Sequence, residues 1–323
     1  MHPVRALFER EAWANRELLR RCAELDPGLL ARETPGTYGT IPRTLTHIVS
    51  GEQFFLTLLT GQAAADLIEH GEQRDPAALA PPAEESAARW RSLLDGSPDP
   101  EGPIWPDQER SPARWVVMAQ CVHHGDAHRA NVGTALGAAG VQPTRVDGWT
   151  FGSLDPVAGE PVGDWADALL LRFFEYAGWA ADRVLQHCVG LGEAALRATA
   201  PGTYGTVHET LTHLVDAHCD YLSRLAGEEA DFLEGAVEPD VLRRWVEWSR
   251  QGWTAYLEAG PDHERTVPTA GRDAPAWVVT MQAVHHLNDH LAHVGTILGA
   301  NDLPVPSADV WAYVLPPEVL REA

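Results

Sequence analysis

Imidazoles are the side chains whose spacing in this chain invites chemistry. Of fifteen histidines, His124 and His128 form an H-x3-H pair in HGDAH, and His286 and His290 form another in HLNDH. On a helix, residues i and i+4 differ by ~40° in azimuth, so each pair projects from one face, one turn apart. Paired ligands of helical zinc sites use that geometry. A third imidazole from a facing helix would give a divalent cation three nitrogen ligands and leave a position open for water or substrate, as catalytic sites do. His47 in TLTHIV (44–49) and His213 in TLTHLV (210–215) recur at matched places and are candidates for that role. His123 and His285 recur too. Each points ~100° away from the pair it precedes and reads as a packing or supporting residue. The competing reading is that all of these are core or surface histidines, because a lone helical H-x3-H is a weak signal.

The recurrence covers the chain. TPGTYGTIPRTLTHIV at 34–49 aligns with APGTYGTVHETLTHLV at 200–215, and FEREAWANRELLRRC at 8–22 with FEYAGWAADRVLQHC at 174–188, both at a shift of 166. WVVMAQCVHHGDAHRANVGTALGA at 115–138 aligns with WVVTMQAVHHLNDHLAHVGTILGA at 277–300 at a shift of 162, and DGWTF at 147–151 sits opposite DVWAY at 309–313. One domain is written twice, over 1–152 and 166–323, with a Gly/Pro-rich connector at 153–165. All three histidine positions survive in both copies while neighbours have drifted: Met118 faces Thr280, Gly125 faces Leu287 and Arg129 faces Leu291.

Four helices per copy must position these residues. The first is expected over 3–24 and 166–189, the second from Thr40 and Thr206, the third over 83–95 and 238–258, and the fourth over 113–138 and 275–299. Thr206 and Glu209 make a capping box, and Pro42 marks the same boundary in the first copy. Sustained period-2 alternation is absent, so the fold class is all-α, two linked four-helix bundles.

Composition narrows the partners. With 24 basic and 46 acidic residues the formal charge is −22. Such a surface repels phosphates and anionic headgroups, which argues against nucleic acid and membrane partners. The four cysteines follow no disulfide or CxxC spacing, which fits a reducing, cytoplasmic setting. The N-terminal stretch is amphipathic and charged rather than a signal peptide, and no apolar run approaches the ~18 residues of a spanning helix. No P-loop, GxGxxG or Ser-His-Asp pattern appears.

A helix-borne TLTHIV followed on the last helix by HGDAHR resembles the DinB/YfiT-like superfamily, over nearly the whole of each copy. The resemblance implies up-down-down-up bundles, a bacterial source, and a divalent metal (Zn, Ni, Fe or Co). Its ligands would be His47, His124 and His128 in one copy and His213, His286 and His290 in the other. Members of known function resemble S-transferases and isomerases that use a low-molecular-weight thiol such as bacillithiol or mycothiol. The implied activity is therefore a thiol S-transferase acting on a small-molecule substrate. The alternatives are a hydrolase or isomerase working through water, and a metal-binding or stress-response protein without turnover. Family members often carry an acidic residue five positions after the first histidine and an arginine after H-x3-H. Glu52 and Arg129 match in the first copy, whereas His218 and Leu291 stand there in the second. Single-domain members resemble dimers, so the tandem chain is expected to be an intrachain pseudo-dimer, either monomeric or a homodimer.

Three other repeats are expected to be structural. PGTYGT (35–40 and 201–206) makes a tight turn into an N-cap, although it could also line the mouth of the site. Gly133-x3-Gly137 and Gly295-x3-Gly299 suit close packing against another helix, including one of the other copy. The matched Cys22/Cys188, Trp13/Trp179, Trp115/Trp277 and Trp149/Trp311 suit core packing.

Overall fold

The structure, a computed structural model, describes residues 1–69, 71–108, 111–154, 156, 159–228, 233, 237–269, 271 and 273–315. Eight long helices carry it. In the first copy they are α1 (Pro3–Ala23), α2 (Ile41–Thr60), α3 (Ala80–Asp95) and α4 (Arg114–Ala138). In the second they are α5 (Trp165–Leu191), α6 (Val207–Ala226), α7 (Pro239–Glu258) and α8 (Ala276–Ala300). Their ends follow local chemistry. Thr40 Oγ1 accepts from Arg43 N at the head of α2, and Thr206 and Glu209 close a capping box on α6. Prolines open α1, α2, α3 and α7, where their missing N–H costs no hydrogen bond.

Side-chain pairs fix the direction of each helix. Arg5–Asp95, Glu9–Arg91 and Arg16–Glu84 run α1 against α3, so the two are antiparallel. Arg114 reaches the Leu59 carbonyl while His124 meets His47, so α2 and α4 are antiparallel. Asn15 meets Arg129 one turn beyond the Glu11–Asp126 level, so α1 and α4 are parallel. The bundle is therefore up-down-down-up, with neighbours in the ring α1–α3–α2–α4. The parallel α2–α3 pair requires the long crossover between Thr60 and Ala80. The second copy repeats the ring as α5–α7–α6–α8.

The two bundles share a core cluster, and Leu18, Leu45 and Leu136 belong to a second one within the first copy. Leu7, Leu56 and Val117 of the first copy belong to the same buried cluster as Leu169, Leu211 and Val279 of the second. α4 and α8 lie against each other, bridged by His123–Asn288 (3.1 Å) and Asn131–Thr296 (3.2 Å). The matched tails, which the sequence left without a structural assignment, form short helices that cross between copies. Gly148 N, opening Gly148–Gly152, donates to Gln282 Oε1 of α8 at 2.7 Å; Val310 N, opening Val310–Val314, donates to Gln120 Oε1 of α4 at 3.0 Å. Among the described residues the only strands are two-residue pieces, Thr266–Val267 and Ala274–Pro275, and no helix is long and apolar enough to cross a membrane.

Candidate metal centres

His47 sits on α2 and His124 and His128 on α4, on facing sides of an antiparallel pair. The structure brings all three imidazoles together. Nε2 of His47 and Nε2 of His124 are 3.0 Å apart, and the three ring centroids are 4.5–4.7 Å apart. The second copy repeats this with His213, His286 and His290: Nε2 to Nε2 is 3.1 Å and the centroids lie 4.3–4.9 Å apart. In each set the nearest ring nitrogens all fall within 4.8 Å of one another.

Burial disfavours protonation of five of these rings. His128 and His290 are each pushed down to about 3, and His124 and His286 lie well below the ordinary histidine range. Desolvation leads in every case and neighbouring imidazoles add to it. His213, nearer the surface, is lowered less far, with the Asp216 carboxylate opposing.

Such a set fits a divalent cation. Tetrahedral ligands at about 2.0–2.1 Å stand roughly 3.3 Å apart, close to the observed Nε2 separations. Without a cation, three neutral imidazoles converging on one point cannot all be satisfied by N–H···N bonds. Nδ1 of His128, His286 and His290 is buried without a hydrogen-bond partner.

Sequence reasoning underrated Tyr38 and Tyr204. PGTYGT does form the turn into the N-cap, but its tyrosine also covers the histidines. Tyr38 stacks on His47 (4.2 Å, 14° between planes) and turns an edge of the pair toward His128 at 4.8 Å; Tyr204 stacks on His213 (4.4 Å, 9°) and meets His290 at 5.1 Å. The signal was available: a turn needs the repeat's glycines and proline, but not its tyrosine.

Each tyrosine loop is seated by the opposite copy. Gly36 has φ +80°, and a methyl on it would overlap the Thr296 carbonyl oxygen of α8. Gly202, at φ +81°, meets Thr134 of α4 in the same way. The helices make room with glycine: a Cβ at Gly299 would lie 3.2 Å from Gly36 Cα, and one at Gly137 would lie 3.4 Å from Gly202 Cα. The second glycine of each G-x3-G thus packs between copies, as the sequence suggested, but against a turn rather than a helix.

Behind the first centre lies a buried ionic network. Arg10 donates to Asp126 (2.6 Å) and Glu11 (2.9 Å), Arg129 pairs with Asp126 (2.9 Å) and with Glu11, and Asn15 joins Arg129 (2.9 Å) to Glu52 (2.8 Å). Burial opposes ionisation of Asp126, yet Arg10 and His285 hold it well below the carboxylate range. Among the described residues Glu52 has no direct ion pair, and burial and the Glu11 charge outweigh the pull of Arg129 and Asn15 and push it up to about 8. His123 and His285 are bridges between copies: His123 meets Asn288 and Tyr176 (2.9 Å), and His285 meets Asp126 (2.9 Å) and Arg10 (2.7 Å).

The second copy has lost this network. Tyr176, Ala177, Ala181 and Leu291 stand opposite Arg10, Glu11, Asn15 and Arg129. His218, opposite Glu52, accepts from Trp253 Nε1 (3.1 Å) and burial pushes it to about 4. Cys22 and Cys188 are fully buried, with thiols pushed up to about 12 by desolvation, in keeping with packing roles. Trp115 and Trp277 are buried, and the other matched tryptophans pack on the same core.

A further His2–Asp167–His263 group is no cation site. His2 Nδ1 accepts from Val4 N, so Nε2 carries the proton and donates to Asp167 at 3.1 Å.

Comparison with known proteins agrees with the duplication. Residues 1–156 match the model of the DinB family and residues 177–295 that of the DinB superfamily. The chain is also similar to Protein DinB of Bacillus subtilis (strain 168), 22% identical over 155 residues that span 44% of this chain and 88% of that protein.

Proposed function

The chain belongs to the DinB superfamily, in two tandem copies, and from that premise we propose that it is a divalent-metal enzyme of the low-molecular-weight-thiol S-transferase type. One observation carries the metal reading: two independent sets of three imidazoles converge within 4.8 Å, each from two facing helices. A divalent cation supplies a Lewis acid that lowers the pKa of a thiol or water ligand toward neutrality. The chain's own part is to bring three nitrogen donors together and to cover one side of them with Tyr38 or Tyr204. No protein nucleophile is required, and the buried high-pKa thiols of Cys22, Cys121, Cys188 and Cys219 are unsuited to be one. The proposed protein acts as a pseudo-dimer on small molecules, in the cytoplasm.

Elemental analysis of protein purified without chelator tests the metal reading. Wild type should carry at least about one divalent metal per chain, and His124→Ala/His128→Ala should carry less. Equal and negligible metal in both would refute it. Incubation with electrophiles and a panel of small thiols tests the reaction. Metal-dependent conjugation supports the transferase, thiol-independent turnover points to hydrolysis or isomerisation, and bound metal without turnover points to a binding role.

A further inference from the structure

The ligands and their tyrosine covers match between copies, but the charges around them do not. Arg43 lies one turn before His47 on the same stripe of α2. Its guanidinium sits over the Tyr38 ring at 5.2 Å, and the same ring stacks on His47 at 4.2 Å. That places a cation within roughly 10 Å of the imidazoles, about one Debye length at physiological salt. Among the described residues no carboxylate lies within ion-pair distance of Arg43, in a chain of formal charge −22 where most arginines are paired. Ser50, Ala127 and Asn131 also stand one turn from these histidines, and none carries charge.

At the four equivalent positions of the second copy stand Glu209, Asp216, Asp289 and His293. Glu209 is the capping-box carboxylate one turn before His213. Asp216 is half-buried one turn after it, with one oxygen on Leu233 N (2.8 Å) and its charge felt at His213. Asp289 lies within 4.8 Å of the ligand atoms of His290 and His293. A dication on three neutral imidazoles keeps its full charge in the first copy and has a further cation beside it. In the second copy three carboxylates offset it.

We infer that the two centres take ligands of opposite charge: the first an anionic small molecule, such as a carboxylate-bearing thiol or substrate, and the second a neutral or cationic one. Arg43 and Glu209 are the specificity-determining residues at the two mouths. The inference rests on the proposed metal reading and adds the class of ligand to it. The physical basis is Coulombic. A charge about 8–10 Å from a ligand at the surface alters its affinity severalfold at low ionic strength, and opposite signs at matched positions multiply the contrast.

Cobalt(II) provides the readout through its visible bands. His213→Ala/His286→Ala leaves the first centre, and His47→Ala/His124→Ala leaves the second. Each is titrated with thiocyanate, an anion, and with imidazole, a neutral ligand, at low ionic strength. Thiocyanate should bind the first centre about tenfold or more tightly than the second, while imidazole binds both within about threefold. Arg43→Glu, an exposed change that spares the fold, should weaken thiocyanate at the first centre by about three- to tenfold, and Glu209→Arg should strengthen it at the second. Cobalt bands with equal thiocyanate affinities, or indifference to Arg43→Glu, would overturn the ligand-charge inference alone. Absence of cobalt bands from both single-centre proteins would overturn the metal reading and this inference with it.

Discussion

Glu52→Gln isolates a buried carboxyl of the first copy whose pKa is raised. Glu52 is buried, accepts from Asn15 Nδ2 at 2.8 Å, and is pushed from 4.5 to about 8 by desolvation. Its folded pKa lies above its unfolded one, so the native state holds a proton that the unfolded chain releases. Its contribution is intact below about pH 4.5 and is lost as pH rises toward 8. At 1.36 kcal/mol per unit, the native state pays roughly 3 kcal/mol at pH 7 and about 1 kcal/mol at pH 5 to keep Glu52 neutral. Glutamine keeps the acceptor for Asn15 and cannot titrate. The stability of Glu52→Gln relative to wild type, from urea unfolding followed by helical circular dichroism, should therefore rise by about 2–3 kcal/mol between pH 5 and pH 7. Taking the difference between the two proteins cancels the titration of groups not coupled to Glu52. Parallel pH profiles would show that Glu52 ionises normally and that the network behind the first centre is not as dry as the structure makes it.

Arg129→Leu, which writes Leu291 into the first copy, should cost about 3–5 kcal/mol by leaving Glu11 and Asp126 under-compensated; adding Arg10→Tyr, Glu11→Ala and Asp126→Asn should recover most of it, read as urea midpoints. Gly36→Ala meets both a positive φ and the Thr296 carbonyl and should cost at least about 2 kcal/mol, with cobalt affinity falling at the first centre although the clash is with the second copy. In chelator-treated protein, His128 and His290 at about 3 make the native state bind fewer protons than the unfolded one. That contribution is complete above about pH 6.5 and is lost as pH falls toward 3, so acid unfolding of the apoprotein should shift to lower pH in variants with glutamine at both positions.

What the sequence revealed depends on how local the cause is. The His124/His128 and His286/His290 pairs were legible because i,i+4 spacing alone puts two rings on one face, and the Thr206–Glu209 cap because it closes within one turn. The duplication turned two weak motifs into one stronger one. Contacts fixed by packing were not legible. Arg10 finds His285 across 275 positions, and Gly148 finds Gln282 across 134. Nothing in HGDAH indicates that Asp126, lying between His124 and His128, faces the other copy rather than the histidine cluster. Glu52 and Arg129, flagged by resemblance, meet through Asn15 and Glu11 behind the imidazoles instead of beside them. The helical spacing of apolar residues on α1 predicted a helix, but not that Arg10 and Glu11 would be among its buried positions.

The position of Asp126 explains what a tandem chain permits that a symmetric pair does not. Asp126 and Asn288 are counterparts, and they face each other: Asn288 Nδ2 donates to Asp126 Oδ2 at 3.1 Å. They therefore lie beside the pseudo-twofold axis. In an isologous dimer of identical chains each residue at the axis meets its own copy. Two aspartates there would set two buried carboxylates at hydrogen-bonding distance, and one would have to stay protonated. Once the copies are covalently joined they can differ, and the pair becomes a donor and an acceptor, with Arg10, Arg129 and His285 gathered on the single charge. Asn288→Asp restores the symmetric situation while changing one atom's chemistry. It should destabilise the protein by about 2–4 kcal/mol at pH 7, and the deficit should shrink as pH falls and one of the two carboxylates takes up a proton. Urea midpoints for both proteins at pH 5 and pH 7 measure this. If Asn288→Asp were as stable as wild type at pH 7, the arginines would have charge to spare for two carboxylates, and asymmetry at the axis would not explain why the copies diverged there.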